Sequence, residues 1–334
     1  MGNMIESEVK KMTVVSLFSG AGGLDYGIKS AGNTILWAND IDKNAVETYR
    51  HNIGNEILCA DISTINIKNI PDCDVVIGGF PCQGFSQANL RRTIDDERNQ
   101  LYKFYYQVIS EKQPLFFIAE NVKGILSLGG GQVIKQILSD FESAGYIVEL
   151  HKVNMANYGV PQTRERVVII GQNKNKISEK MLFQFPKELY SKDGLNGLHK
   201  WLSIKETLDK YPDPDRPNVL YNHVYSKYKV VYRNFTAHRR TNPDYPSPTI
   251  LARGNGKGGV CAIPHYNGKR RLTIRESAAI QTFPDDFEFF GPMGACYRQI
   301  GNAVPVKFAE FLGKELVRIE KEELCEKSAE KETA

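Results

Sequence analysis

Through the first half of the chain, short apolar runs alternate with segments of helical periodicity, and the alternation stops at Gly171. "TVVSLFS" ends at the glycines of "GAGG", and "LDYGIKSAG" reads as a helix closed by Gly32. "TILWAND" and "VETYRHNIG" repeat the pair, "EILCADI" is a third strand leading to Asp61, and "DVVIGG" is a fourth. The next helix is expected from about Asn99 to Lys112, with Leu101, Tyr105, Val108 and Ile109 on one face. "LFFIAEN" follows as another buried strand. Val133, Ile134, Ile137, Leu138 and Phe141 then mark a helix before the strand "RVVIIG". Strands this apolar are covered on both sides, and helical crossovers supply the cover. The pattern predicts an α/β fold: a doubly wound, mostly parallel, Rossmann-like sheet with helices on both faces.

From 172 to about 272 the chain is rich in Lys, Asn, Pro, Tyr and Gly, with "PDPDRPN" and "NPDYPSP" as turn signals. This reads as a smaller, irregular domain. Regularity returns in "TIRESAAIQTF" and in the amphipathic "VKFAEFLGKELVRIE", ahead of a charged tail expected to fray. The expected division is a catalytic domain from 12–186 and 297–322, a smaller domain with its hinge at 187–296, and flexible tails at 1–11 and 323–334.

Composition narrows the class. At 334 residues, 41% hydrophobic and 25% charged, the chain has ample core for a soluble globular protein. No apolar run approaches the ~20 residues of a membrane span. The opening "MGNMIESEVKK" lacks the apolar core of an export signal, and Glu6 stands where a myristoylation signal has Ser or Thr. The cysteines at 59, 73, 82, 261, 296 and 325 form no CxxC pair. A disulfide framework and a metal site are therefore not expected, and a reducing cytoplasm is the expected setting.

The net charge of +4 conceals an asymmetry. Between Arg216 and Arg275 stand twelve Lys and Arg against one acid, Asp244, a local charge of +11 that leaves −7 for the remainder. Tyr221, Tyr225, Tyr228, Tyr232, Phe235 and Tyr245 are interleaved. A solvated basic face is one reading. A polyanion-binding surface explains the density of cations better.

"LFSGAGGLDYG" follows a strand and opens a helix, so small residues would let backbone approach a ligand at a helix start. Asp40 closes the second strand seventeen residues after Gly23, where a carboxylate holds the hydroxyls of an adenosine ribose. Asp61 closes the third and is placed to accept from an adenine amine. A nicotinamide dinucleotide and S-adenosyl-L-methionine (AdoMet) both fit this setting. The glycines at 20, 22, 23 and 27 depart from GxGxxG, which favours AdoMet, a cofactor without a pyrophosphate.

Four side chains converge on the carboxyl edge of the same sheet. Cys82 follows the fourth strand in "DVVIGGFPCQGFSQ", behind Pro81, on a loop rather than in the core. A thiol there is placed to meet a ligand. Glu120 closes the next strand in "IAENV", and "QTRERV" brings Arg164 and Arg166 to the start of another. A thiol, a carboxyl and two guanidiniums suit covalent attack on a polarised ring, with the arginines favouring the thiolate.

The motifs "SLFSGAGGLDYG", "GGFPCQGFS", "AENV", "QTRERV", "RESAAIQTFP" and "RQIGNAVP", in this order, resemble those of the cytosine-5 DNA methyltransferases, from Val14 to about Arg318. The resemblance implies that Cys82 adds to C6 of a flipped-out cytosine while Glu120 contacts N3 and the exocyclic amine. It implies that Arg166 holds O2 with Arg164 close by. Phe18, Gly20, Gly22, Gly23, Asp40, Ile41, Asp61, Ile62, Pro81, Leu101, Asn302 and Val304 fall on AdoMet-contact positions. Asp40 replaces the glutamate commoner there, and Ile41 stands where an aromatic is sometimes found. Ser86 and Gln87 belong to a loop that would close over DNA. Arg239, Arg240 and Arg253, within 235–259, are the expected DNA-reading residues of a target-recognition domain. The implied partners are double-stranded DNA and a cognate restriction endonuclease, with the enzyme a monomer. A transfer-RNA methyltransferase on this scaffold would carry a Cys-Phe-Thr element that this chain lacks. A catalytically dead DNA-binding homologue would lack Cys82 or Glu120.

Overall fold

The computed structural model describes residues 11–81, 100–227, 241–252 and 263–333, the last stretch from 323 by backbone alone. Seven strands form the main sheet: β1 (Thr13–Leu17), β2 (Thr34–Asp40), β3 (Ile57–Cys59), β4 (Val75–Gly78), β5 (Phe116–Val122), β6 (Tyr146–Asn154) and β7 (Glu165–Asn173). Their order across the sheet is 3-2-1-4-5-7-6. β1 pairs in parallel with β2 and β4, as do β2 with β3 and β4 with β5. β7 alone runs against its neighbours, antiparallel to both β5 and β6. Order reverses between β1 and β4, and the crevice beyond their carboxyl ends is where such sheets bind ligands.

The apolar strands are buried on both sides with a period of two. Val14, Val75, Ile77, Phe116 and Ile118 face one core; Val15, Leu17, Val76, Phe117 and Ala119 face the other. The first core is closed by α1 (Gly23–Ser30), α2 (Lys43–Asn52) and later helices, and the second by α3 (Gln100–Lys112) and α4 (Gln132–Ser143). β6 was not visible in the sequence. It is an edge strand, "YIVELHKVN", whose residues are mostly half-buried and which carries charges at 149 and 152. No continuous apolar run announces it. Its hairpin with β7 produces the one reversed strand.

Past the sheet, the short α5 (Ile204–Leu208) and α6 (Ile274–Ile280) each open with a reciprocal capping box, Ser203–Glu206 and Thr273–Glu276. α7 (Met293–Asn302) and α8 (Val306–Thr333) follow. Ile274, Ala278, Phe283 and Phe287 share the core of Val14 and Ile28, so that core runs across the position 296/297. The tail expected to fray from 323 is helical to Thr333. Its Glu-, Lys- and Ala-rich sequence has high helix propensity, and i,i+4 ion pairs such as Arg318–Glu322, 2.6 Å, lead into it.

α8 returns from the far end of the chain to lie on α1. The approach needs glycine: a Cβ on Gly27 would sit 2.5 Å from Ala309 Cβ, and one on Gly313 would sit 2.7 Å from Ala31 Cβ. Asn33 fixes the junction, its Nδ2 donating to the carbonyls of Ile28 and Gly313 at 3.0 Å.

Candidate active site

A cavity of about 740 Å³ opens at the carboxyl ends of β1, β2, β4 and β5. The turn after β1 builds one side. Phe18 takes a left-handed φ of 57°, a strained choice for an aromatic residue that turns the chain sharply out of the strand. The Gly20 N–H donates to Asp40 Oδ2 at 2.7 Å, and the Asp42 N–H donates to Asp40 Oδ1 at 2.8 Å. Asp40 therefore ties the glycine turn to the end of β2 while lining the cavity. Burial raises its carboxyl above the usual range, against those two hydrogen bonds. A Cβ on Gly20 would meet nothing within 4 Å, so the backbone there is open to a ligand.

The cofactor positions read from the sequence gather here, with one exception. Phe18, Gly20, Gly23, Asp40, Ile41, Asp61, Ile62, Pro81, Leu101, Asn302 and Val304 all line the cavity. Gly22 does not: with φ at 84° it caps α1, and a Cβ on it would fall 2.1 Å from Ile53 Cδ1. Its role is to let α1 pass close to α2. Asp61 Oδ1 accepts from the Ser63 N–H and hydroxyl, at 3.0 and 2.8 Å. Arg298 and Asn121 also line the cavity and were not singled out from the sequence. Arg298 pairs with Asp42 at 2.8 Å, and Asn121 Nδ2 donates to the Phe80 carbonyl at 3.0 Å, holding the strand end that precedes Pro81. Both lie inside motifs already quoted, "RQIGNAVP" and "AENV", which were the available signals.

Glu120 enters the same cavity from the end of β5. Its Oε1 lies 2.9 Å from Arg166 Nε in a largely buried ion pair. Gly79 makes room for it: a Cβ there would lie 3.1 Å from the Glu120 carbonyl and 3.5 Å from Oε2. Arg166 is thus brought to the carboxylate. Arg164 is not. Its side chain is enclosed, donating from Nη1 to the Ile250 carbonyl and from Nη2 to the Gly301 carbonyl, each at 3.1 Å. Arg164 precedes the first residue of β7, so strand alternation does not carry it to the face that Arg166 takes toward Glu120. Burial pulls the Arg164 guanidinium down to about 9, with the Arg166 cation adding to the effect.

Cys82, Ser86, Gln87, Arg239, Arg240 and Arg253 lie outside the described residues. The basic segment divides into several roles where it is described. Arg275 is buried and donates to the carbonyls of Tyr221, Pro284 and Phe287. Arg270 grips Glu276 through two hydrogen bonds of 2.7 and 2.6 Å. Lys227 pairs with Asp215 and lies 4.0 Å from the Tyr225 ring centroid. Arg271 is buried. Arg270, Arg271 and Arg275 are thus committed within the fold, whereas Lys227 stays exposed.

The residues 12–318 match the family model for the C-5 cytosine-specific DNA methylases. The chain is 37% identical to the type II methyltransferase M.NgoFVII of Neisseria gonorrhoeae, covering 98% of this chain and 93% of that one. It is 35% identical to M.BspRI of Lysinibacillus sphaericus, over 94% and 83%. Among solved structures it is similar to a putative DNA modification methyltransferase encoded within a prophage, from E. coli, with 28% identity and a TM-score of 0.71 over 92% of this chain and 99% of that one. The Dnmt2 methyltransferase of S. pombe, at 20% identity and a TM-score of 0.66 over 92% and 99%, shares the fold.

Proposed function

The chain belongs to the C-5 cytosine-specific DNA methylases, with AdoMet as methyl donor, and on that premise we propose that it works through a covalent Cys82–cytosine intermediate. One observation carries the reading. A single cavity is lined both by the glycine turn with Asp40 and by Pro81 and Glu120, so the donor half and the acceptor half of the reaction share one space.

Asp40 and Asn302 would hold AdoMet against the Gly20 backbone, and Ile41 would offer its adenine an aliphatic contact. AdoMet supplies a methyl group on a positively charged sulfur. The Cys82 thiolate attacks C6 of a cytosine turned out of the duplex, because a stacked base cannot reach the cavity. The S–C6 bond forms as the C5–C6 π pair moves onto C5, and Glu120 steadies N3 and the exocyclic amine while Arg166 holds O2. The methyl group would then pass to C5 as its bond to the sulfonium sulfur breaks, leaving neutral S-adenosylhomocysteine. A base or water removes the C5 proton, its bonding pair restores the C5–C6 double bond, and the thiolate leaves. The detour through sulfur makes an otherwise unreactive ring carbon nucleophilic. The enzyme acts as a monomer in the bacterial cytoplasm on one short site, and its type II relatives support a role in shielding DNA from a cognate endonuclease.

A duplex with 5-fluorocytosine in place of cytosine tests the chemistry, because fluorine at C5 blocks the final proton removal. Incubation with AdoMet should leave a protein–DNA species that survives denaturing electrophoresis, and Cys82→Ser should form none. On normal duplex, turnover of Cys82→Ser above about 1% of wild type would remove Cys82 from the nucleophile's role, since covalent catalysis contributes on the order of several kcal/mol.

A further inference from the structure

Three buried side chains from two motifs, "QTRERV" and "RESAAIQTFP", meet behind the cavity wall. Gln162, Arg164 and Gln281 are each at most 1% exposed. Gln162 Nε2 donates to Gln281 Oε1 at 2.9 Å, and Gln162 Oε1 accepts from the Ile250 N–H at 2.8 Å. Arg164 holds the Ile250 and Gly301 carbonyls, and Gln281 Nε2 donates to those of Ile300 and Ala303 at 2.7 and 3.1 Å. Both backbone groups of Ile250 are therefore bound by side chains, as are three carbonyls at the end of α7.

Carbonyls at a helix end lack intrahelical partners, and a cation there faces the negative end of the helix dipole. Gly301 brings the second strand of chain into contact: a Cβ on it would lie 2.4 Å from both Ala252 N and Leu251 C. The next residues, Asn302 to Val304, form one wall of the cavity. The 250–252 backbone, the end of α7 and the cavity wall are thus fastened at one place, and Arg164 supplies two of the bonds.

We propose that Arg164, with Gln162 and Gln281, is a positioning residue that sets the Asn302–Val304 wall of the cofactor cavity and does not touch the cytosine. The inference rests on the reading of this cavity as the AdoMet site. Arg164→Lys keeps the cation but cannot fork between the two carbonyls, whereas Arg164→Met leaves both unpaired.

Calorimetry with S-adenosylhomocysteine on the DNA-free protein is the test, paired with steady-state kinetics. Affinity should fall roughly tenfold in Arg164→Met, the scale of one lost charged hydrogen bond, and less in Arg164→Lys. The KM for AdoMet should rise in step, with kcat at saturating AdoMet within about threefold of wild type. Gly301→Ala, which pushes on 251–252 without removing a polar group, should weaken the same affinity and carries the test if the arginine variants do not fold. Ile137→Ala, in α4 on the other face of the sheet, is the control: it should lower the melting temperature and leave affinity alone. Unchanged affinity with a fallen kcat would place Arg164 on the substrate and overturn the proposal. Unchanged affinity and kcat with only a lower melting temperature would reduce it to a structural part, which also overturns it. Wild-type protein that does not bind S-adenosylhomocysteine would instead overturn the reading of the cavity.

Discussion

Asp25 stands in the first turn of α1, wholly buried, with Oδ1 accepting from the Tyr49 hydroxyl at 3.0 Å. Burial pushes its carboxyl up to about 7, partly offset by Ser16 and Tyr49, with Glu56 adding to the rise. An acid whose folded pKa lies above its unfolded value binds its proton more tightly when folded. Its contribution to stability is therefore present at low pH and is lost as pH rises from about 4 through 7, by up to about 4 kcal/mol. Asp25→Asn, which resembles the protonated acid, should escape that loss. Denaturant unfolding at pH 5 and pH 8 should show the variant gaining on wild type at the higher pH, and parallel profiles would contradict the assignment. Residues such as Asp40 and Glu120 were legible in the sequence because a strand's end fixes where its last side chain goes. Arg164 was not, since the spacing in "QTRERV" brings both arginines to one edge without showing that the first is claimed by carbonyls from Ile250 and Gly301. Those partners lie 86 and 137 residues away.

At the scale of elements, the parallel half of the sheet was readable because its strands are short apolar runs, of which β1 and β4 lead into glycines. β6 and α7 were not. The first is a half-buried edge strand, and the second carries Gly294 and Gly301 with polar residues between them. The expected division placed 297–322 with 12–186 but did not show the packing of α8 on α1, a contact that joins the two ends of the chain. It depends on Gly27, where an added Cβ would also come within 2.5 Å of the Val306 carbonyl. Backbone cannot yield as a flexible side chain does, so Gly27→Ala should cost about 1–3 kcal/mol, the scale of overpacking a core. Urea unfolding measures it directly. A stability within error of wild type would mean that α8 can shift on α1 without loss.

Across the whole molecule, the +11 segment implies a steep salt dependence of DNA affinity, because each neutralised phosphate releases counterions. The fold reduces the number of cations available for this. Arg270 is spent on Glu276, which is 1% exposed, and Arg275 on carbonyls. Arg270→Gln should therefore leave the salt slope of duplex binding unchanged while destabilising the fold by about 3–5 kcal/mol, the cost of stranding a buried partner. Lys269→Gln, at an exposed position of the same segment, should flatten the slope. Equal effects of the two on the slope would mean that Arg270 leaves Glu276 to meet DNA. Charge counted along a sequence thus overstates a binding surface, because burial and pairing are settled by tertiary neighbours.

The proposed chemistry is methyl transfer to C5 of cytosine at a defined DNA site, with Cys82 as nucleophile. Bisulfite sequencing of a plasmid propagated with the enzyme tests it most directly, because a methyl group at C5 protects cytosine from conversion. Wild type should protect one cytosine within one short recurring sequence, and Cys82→Ser should protect none. Complete conversion of the wild-type plasmid, or equal protection with Cys82→Ser, would contradict it.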